Sequence, residues 1–153
     1  MSLIQYPGGK FHIASRIIDL FPKHSCYVEV FGGGAHVLFQ KSQSKIEIYN
    51  DIDKNLYTLF KILSDPIQYK RFAKRLNFLM ISRDIFNDFK LKIEKDDLSM
   101  LDRAVIFYYL VRNSMFGSQE SFMVQKTKMR PFSRNEFYFK HFYERLRNVV
   151  IEN

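Results

Sequence analysis

The feature that most limits the fold is an apolar run, Cys26-Tyr27-Val28-Glu29-Val30-Phe31, that enters Gly32-Gly33-Gly34-Ala35 and is followed by Val37, Leu38 and Phe39. The run reads as a buried strand, the glycines as a tight bend, and the apolar cluster behind them as a short helix. Strand, bend and helix in that order form the unit of an α/β fold. The unit repeats downstream. Lys45 to Tyr49 alternates Ile46 and Ile48 with polar neighbours and ends at Asn50-Asp51, and Leu56, Leu59, Phe60 and Leu63 mark a helix behind it. That connection has the length of a right-handed parallel crossover. Upstream, Ile13, Ala14, Ile17, Ile18 and Phe21 lie at i, i+1, i+4, i+5 and i+8, one face of a helix that Pro22 stops.

From Asp65 onward the pattern becomes helical. Asp65 as N-cap and Pro66 at N1 open a helix with Tyr69, Phe72, Leu76 and Leu79 on one face. Phe86, Phe89 and Ile93 mark another, and Ser99 with Asp102 has the capping-box spacing for a helix from Ala104 to Val111, apolar all round and therefore buried. Between Gly117 and Ser133 no helical period survives, and Lys126, Lys128 and Arg130 accumulate beside Phe122, Met123 and Val124, which reads as an exposed loop or β-hairpin. Ser133 and Glu136 then open a closing helix with Phe139, Phe142 and Leu146 inward, and Val149-Val150-Ile151 forms a third strand.

Size and charge narrow the function. The chain has 153 residues, 46% apolar and 26% charged, which fits one packed unit. Its formal charge is +8, and six of the eight surplus positive charges fall after residue 64. The charge suggests a polyanionic partner such as nucleic acid, with a membrane surface still open on charge alone, and most of the basic surface lies downstream. No stretch reaches the roughly 20 apolar residues of a bilayer-spanning helix, and the amino terminus lacks the regions of a signal peptide, so the expected location is the cytoplasm. The single cysteine, Cys26, excludes an intrachain disulfide and reads as an inert packed thiol. His12, His24, His36 and His141 are scattered and read as surface or packing residues; no metal site is expected.

Three short segments can carry chemistry. Gly32-Gly33-Gly34 lets backbone N–H groups approach a ligand, and Glu29 stands just before it; alone, the loop reads equally as a cofactor site or a structural turn. Asp51 ends the next strand about 20 residues on, where a carboxylate accepts hydrogen bonds from vicinal ribose hydroxyls, though an Asp there is also a common turn or cap residue, as Asp53 is. Tyr6-Pro7-Gly8-Gly9-Lys10 lacks the spacing of an NTPase phosphate loop, and Phe11 follows where a magnesium-binding hydroxyl belongs. Lys10 is either the partner of a carboxylate ligand or a surface lysine beside a turn.

Together and in this order, the segments resemble the D12 or Dam-like class of DNA adenine-N6 methyltransferases. Tyr6-Pro7-Gly8-Gly9-Lys10 looks like its aromatic-x-Gly-Gly-Lys motif, Tyr27 to Ala35 like its cofactor loop, and Tyr49-Asn50-Asp51-Ile52-Asp53 like its ribose-binding strand end. Arg112-Asn113-Ser114-Met115-Phe116-Gly117 is similar to the start of its target-recognition segment, so the resemblance spans nearly the whole chain. It implies a Rossmann-like S-adenosylmethionine-dependent core, incomplete with about three strands, carrying a helical target-recognition insertion. The implied parts are a cofactor-binding α/β part over 1–64, the insertion over 65–147 and a return strand over 148–153. The implied cofactor contacts are Tyr6, Pro7, Gly8, Gly9, Lys10, Glu29, Phe31, Gly32, Gly34, Asp51 and Ile52. Double-stranded DNA is the implied substrate, met by Arg112, Asn113, Phe116, Lys126, Lys128, Arg130 and Arg134.

One family motif is missing. Members carry Asp-Pro-Pro-Tyr, whose acid and carbonyl accept hydrogen bonds from the adenine amine while the tyrosine stacks on the flipped base. The chain has no Pro-Pro, and Asp65-Pro66-Ile67-Gln68-Tyr69 lies before the recognition helices and already serves as a helix start. No catalytic residue is therefore assigned. The chain reads as the front part of a bacterial or phage methyltransferase of the restriction-modification kind, inactive alone, with a C-terminal chain as the partner that supplies the motif. The alternatives are a DNA-binding or regulatory remnant without catalysis and one half of a split enzyme. Glu120 stands where some Dam-like enzymes read a base with Arg, and Phe116 precedes Gly117 where Asn is frequent, so no target sequence carries over.

Overall fold

The computed structural model describes residues 2–123 and 136–153. In chain order the elements are α1 (Ala14–Asp19), β1 (Cys26–Glu29), α2 (His36–Gln40), β2 (Ile46–Asn50), α3 (Lys54–Leu63), α4 (Gln68–Asn77), α5 (Arg83–Ile93), α6 (Met100–Arg112), α7 (Glu136–Leu146) and β3 (Val150–Glu152), with a 3-10 turn at Met115–Gly117. The strands form one parallel sheet in the order β1-β2-β3, with Val28, Ile48 and Val150 in one cross-strand row. This is an incomplete Rossmann-like core, and α4 to α7 are inserted between α3 and the return strand β3. Parallel pairing puts the carboxyl ends of β1 and β2 side by side, where open α/β sheets bind ligands.

Three helices start on a side-chain cap. Asp53 accepts a hydrogen bond from Asn55 N (2.8 Å) at the start of α3, Ser82 accepts from Asp84 N (3.2 Å) at α5, and Ser99 accepts from Asp102 N (3.1 Å) at α6. Asp65 accepts from Ile67 N and Gln68 N, both at 2.8 Å, but the α4 helix proper begins at Gln68, so Pro66 sits in the turn ahead of it. The core is continuous from the sheet into the insertion: Leu56, Leu59 and Phe60 of α3 pack in one cluster with Phe72 of α4 and Phe139 and Phe142 of α7. In α6 every residue from Arg103 to Val111 is buried, as an all-round apolar helix requires. Arg103 is the charged member of that run, and its guanidinium donates to Asn55 Oδ1 (3.1 Å), Ile93 O (3.1 Å) and Lys95 O (2.6 Å). A buried cation thereby ties α6 to α3 and to the end of α5.

Four expectations are corrected. The α1 stripe does not form a buried face: the helix ends at Asp19, only Ala14 is buried, and Ile13 is 49% exposed. On β2 the alternation runs in the opposite phase, because Glu47 and Tyr49 point into the protein while Ile46 is half exposed. Strand β1 is not the buried strand that the apolar run suggests, since Val28 is 48% exposed and Val30 and Phe31 beyond it are 51 and 79% exposed, and Cys26 is an exposed thiol rather than a packed one. The second correction has an electrostatic reason. Glu47 is held by Lys41 Nζ at 2.5 Å and by Arg145 at 2.5 and 3.0 Å, so this acid joins β2 to α7 under the sheet. Of the closing-helix box, Ser133 lies outside the described residues.

Removing one member of a buried ion network leaves the other charges uncompensated, at a cost of about 3 kcal/mol or more. The Glu47→Ala variant is expected to lose about 3 kcal/mol in urea unfolding, because Lys41, with 2% of its side chain exposed, keeps its charge without its carboxylate. A loss below about 1 kcal/mol would contradict this role.

Candidate functional site

The end of β1 is fitted onto the end of β2. Gly32 N donates to Asn50 O (3.0 Å), Tyr49 donates its hydroxyl to Gly33 O (2.8 Å), and Gly33 N donates to Asp51 Oδ2 (2.8 Å). Gly32 lies flat on the Tyr49 ring: a Cβ there would come within 2.0 Å of Tyr49 Cε2. No residue with a side chain fits without displacing the tyrosine. Asp51 Oδ1 also accepts from Asp53 N (2.9 Å), so this carboxylate braces both the glycine bend and the start of α3.

The amino-terminal motif is brought to the same place by His36. Leu3 and Ile4 are buried, and His36 Nε2 lies 3.2 Å from Ile4 O and 3.0 Å from Ser2 Oγ. The imidazole is the floor beneath two glycine segments, since a Cβ on Gly9 would meet His36 Cε1 at 2.7 Å and one on Gly34 would meet it at 2.8 Å. Burial, opposed by the Ile4 carbonyl and aided by the Lys10 charge, pushes the imidazole below its ordinary pKa. Tyr6 closes the turn by accepting Gly9 N at its carbonyl (2.9 Å) and donates its hydroxyl to Asp53 Oδ2 (2.7 Å).

The result is a crevice of about 160 Å³ lined by the Tyr6–Lys10 turn, Glu29, Phe31, Gly32–Gly34, His36 and Asp51. Of the residues expected at a cofactor site, only Ile52 is outside the lining; it stands 91% exposed beside Asp51. His36 and Gly33 belong to the lining as well, and Tyr49 supports it from beneath. Glu29 is the buried acid of the group. Its Oε2 accepts from Leu38 N (3.1 Å), and burial raises its pKa to about 7 against that hydrogen bond and the nearby Lys10 charge.

The residues expected to meet DNA are distributed unevenly. Phe116 is 74% exposed with a positive φ of 51°, and Arg112 is half-buried at the end of α6. Asn113 is buried, and its side-chain amide donates to Tyr109 O (2.8 Å) as it ends the helix, so in this structure it has a structural task in place of a surface one. Gly117 approaches Gln5 O so closely that a Cβ would stand 2.2 Å from it, which sets the 3-10 turn after α6 against Gln5. Lys126, Lys128, Arg130 and Arg134 lie outside the described residues. Among the described residues, no group of three potential metal ligands occurs, and no helix is long and apolar enough to cross a membrane.

A glycine bend, an acid-capped second strand and a Gly-Gly-Lys turn on an incomplete Rossmann-like core define a class, and comparison with known proteins places the chain in it. The model of the D12 class N6 adenine-specific DNA methyltransferases matches residues 6–151, and the chain belongs to that family. It is also similar to Modification methylase StsI of Streptococcus sanguinis, 27% identical over 157 residues that cover 98% of this chain and 22% of that protein.

The Glu29 carboxyl sets a pH dependence. Its folded pKa, about 7, lies above the ordinary value of 4.5, so the folded state holds the proton more tightly. That contribution is complete below pH 4.5 and is lost as pH rises through about 7. Wild-type stability relative to Glu29→Gln is expected to fall by about 3 kcal/mol between pH 4.5 and pH 8 in urea titrations. A difference that stays flat, or rises with pH, would refute the assignment.

Proposed function

We propose that the chain is the donor-binding and DNA-recognising portion of a site-specific DNA adenine-N6 methyltransferase that uses S-adenosylmethionine. The observation that carries this reading is the meeting of Lys10, the Gly32–Gly34 bend, Glu29 and Asp51 in one crevice at the strand ends. The donor set fits the cofactor's charges. Exposed Lys10 complements the carboxylate of its methionine end, and Glu29 complements the ammonium and sulfonium. Asp51 uses one lone pair on each oxygen for the bend and for α3, and each oxygen keeps another for a ribose hydroxyl. Phe31 and Ile52, 79% and 91% exposed, are the apolar side chains flanking that acid.

When bound, the cofactor supplies an activated methyl group. The chain's own residues fix its charged methionine end and its sugar, while Arg112, Phe116 and the basic residues Lys126, Lys128, Arg130 and Arg134 are the groups that meet the duplex. Lysine and arginine contacts to phosphate give that binding its salt dependence. Adenine would leave the stack to reach the methyl group. No Asp-Pro-Pro-Tyr acid and aromatic occur within these 153 residues, which by themselves bind donor and duplex without turnover. A donor-binding part is favoured over a regulatory remnant, because Lys10, the glycine bend, Glu29 and Asp51 line one crevice.

Titration calorimetry tests the reading. S-adenosylmethionine is expected to bind, with the dissociation constant rising about tenfold or more in Lys10→Ala, as loss of a charge-assisted contact of roughly 1.5–3 kcal/mol demands. A ligand cation placed at Glu29 favours its ionised form, so binding at pH 7 releases about half a proton to the buffer, and Glu29→Gln abolishes that release. Absence of binding, or binding indifferent to Lys10, would overturn the proposal.

A further inference from the structure

The connection from α4 to α5 is held by its backbone and bare on its side chains. The Tyr109 hydroxyl of α6 accepts from Ser82 N (3.0 Å) and donates towards Met80 O and Ser82 O, both at 3.1 Å, so the loop is fixed to the core. Yet Phe78, Met80 and Ile81 are 78, 74 and 40% exposed, three apolar side chains within four consecutive residues. Single exposed apolar residues are ordinary on a protein surface, but a contiguous group on a braced backbone marks an interaction site.

Cations flank the group. Helix α4 carries Lys70, Arg71, Lys74 and Arg75 and no acid, half of the chain's formal charge of +8. Arg75 pairs with Asp102, and Lys70 with Glu136 (3.5 Å). Lys74, one helical turn before Phe78, and Arg83, two residues after Ile81, are exposed and have no carboxylate within ion-pair distance among the described residues. The loop also adjoins the segment that follows α6. Arg83 stands 5.5 Å from the ring centre of Phe122, Phe86 packs against the same ring at 5.7 Å, and Met123 N donates to Asn113 O (2.7 Å).

We propose that the α4–α5 loop is a contact surface for duplex DNA, in which Lys74 and Arg83 hold phosphates while Phe78 and Met80 press an apolar wedge against the base stack. Apolar side chains of this kind enter between base steps, and flanking cations fix the backbone while they do so. The proposal rests on the DNA-recognising reading and extends it to a surface outside the residues already named for the duplex. Charge complementarity selects a polyanion as occupant, and a second copy of the chain, itself at +8, is repelled. The contacts to Phe122 set the loop beside the segment that leads to Lys126, which favours DNA over an anionic lipid surface.

Fluorescence anisotropy with a labelled mixed-sequence duplex, measured across a salt series, tests the surface. Lys74→Gln with Arg83→Gln is expected to make the dependence of log affinity on log salt shallower by about 1.8, since each phosphate contact contributes about 0.9. Phe78→Ala with Met80→Ala is expected to weaken binding about tenfold or more with that slope unchanged, as loss of base contacts without loss of charge requires. All four side chains are exposed, so their removal leaves the core intact. A matched control, Leu20→Ala with Lys23→Gln, removes one exposed apolar and one exposed basic side chain ahead of β1 and is expected to alter neither quantity. Losses that the control reproduces would overturn the proposal, as would binding to anionic phospholipid vesicles that is lost with Phe78 and Met80 while duplex binding is kept. Duplex binding indifferent to the loop overturns this surface alone, whereas no duplex binding by the unchanged chain overturns the DNA-recognising reading with it.

Discussion

A glycine resting on an aromatic ring organises this molecule. Because Gly32 has no side chain, the chain leaving β1 lies directly on Tyr49, and the hydrogen bonds from Gly32, Gly33 and Tyr49 hold the two strand ends together. Asp51 then faces the bend, Glu29 sits beneath it, and His36 two residues on from Gly34 becomes a floor for the amino-terminal turn. Two glycine segments share one crevice because each is seated on a ring that tolerates only glycine above it, and Asp51 joins them through its hydrogen bond from Gly33 N.

The helices were legible because their cause is local. Apolar spacing marked α3, α4 and α6, and the Ser99–Asp102 pair marked where α6 starts. The phase of β2 was not legible: Ile46 and Ile48 look like an inward pair only if apolar residues always face the core. Here Lys41 and Arg145 draw Glu47 inward from 6 and 98 positions away, and the isoleucines face outward. Periodicity cannot register a partner at that separation. The α1 stripe and Cys26 misled for a related reason, since these apolar residues are not covered by elements described within this chain.

Most of the crevice could be read from motif order, because strand ends and glycine bends fix the positions of Lys10, Glu29 and Asp51. His36 could not, since a histidine among apolar residues has no spacing signature, and its task appears only once Gly9 and Gly34 are seen on the same imidazole. Asn113 shows the reverse: a residue placed with the duplex by resemblance ends a helix through Tyr109. Burial also explains how two groups near Lys10 differ. It lowers the pKa of the His36 ring and raises that of Glu29 to about 7.

The most direct test follows backbone amide resonances during titration with S-adenosylmethionine. The expected shifts concentrate at Gly8, Gly9, Lys10, Gly32, Gly33, Gly34 and Asp51, and they are absent from α5. Shifts scattered elsewhere, or none at millimolar ligand, would mean that this crevice is a structural joint and not the place where a methyl donor is held.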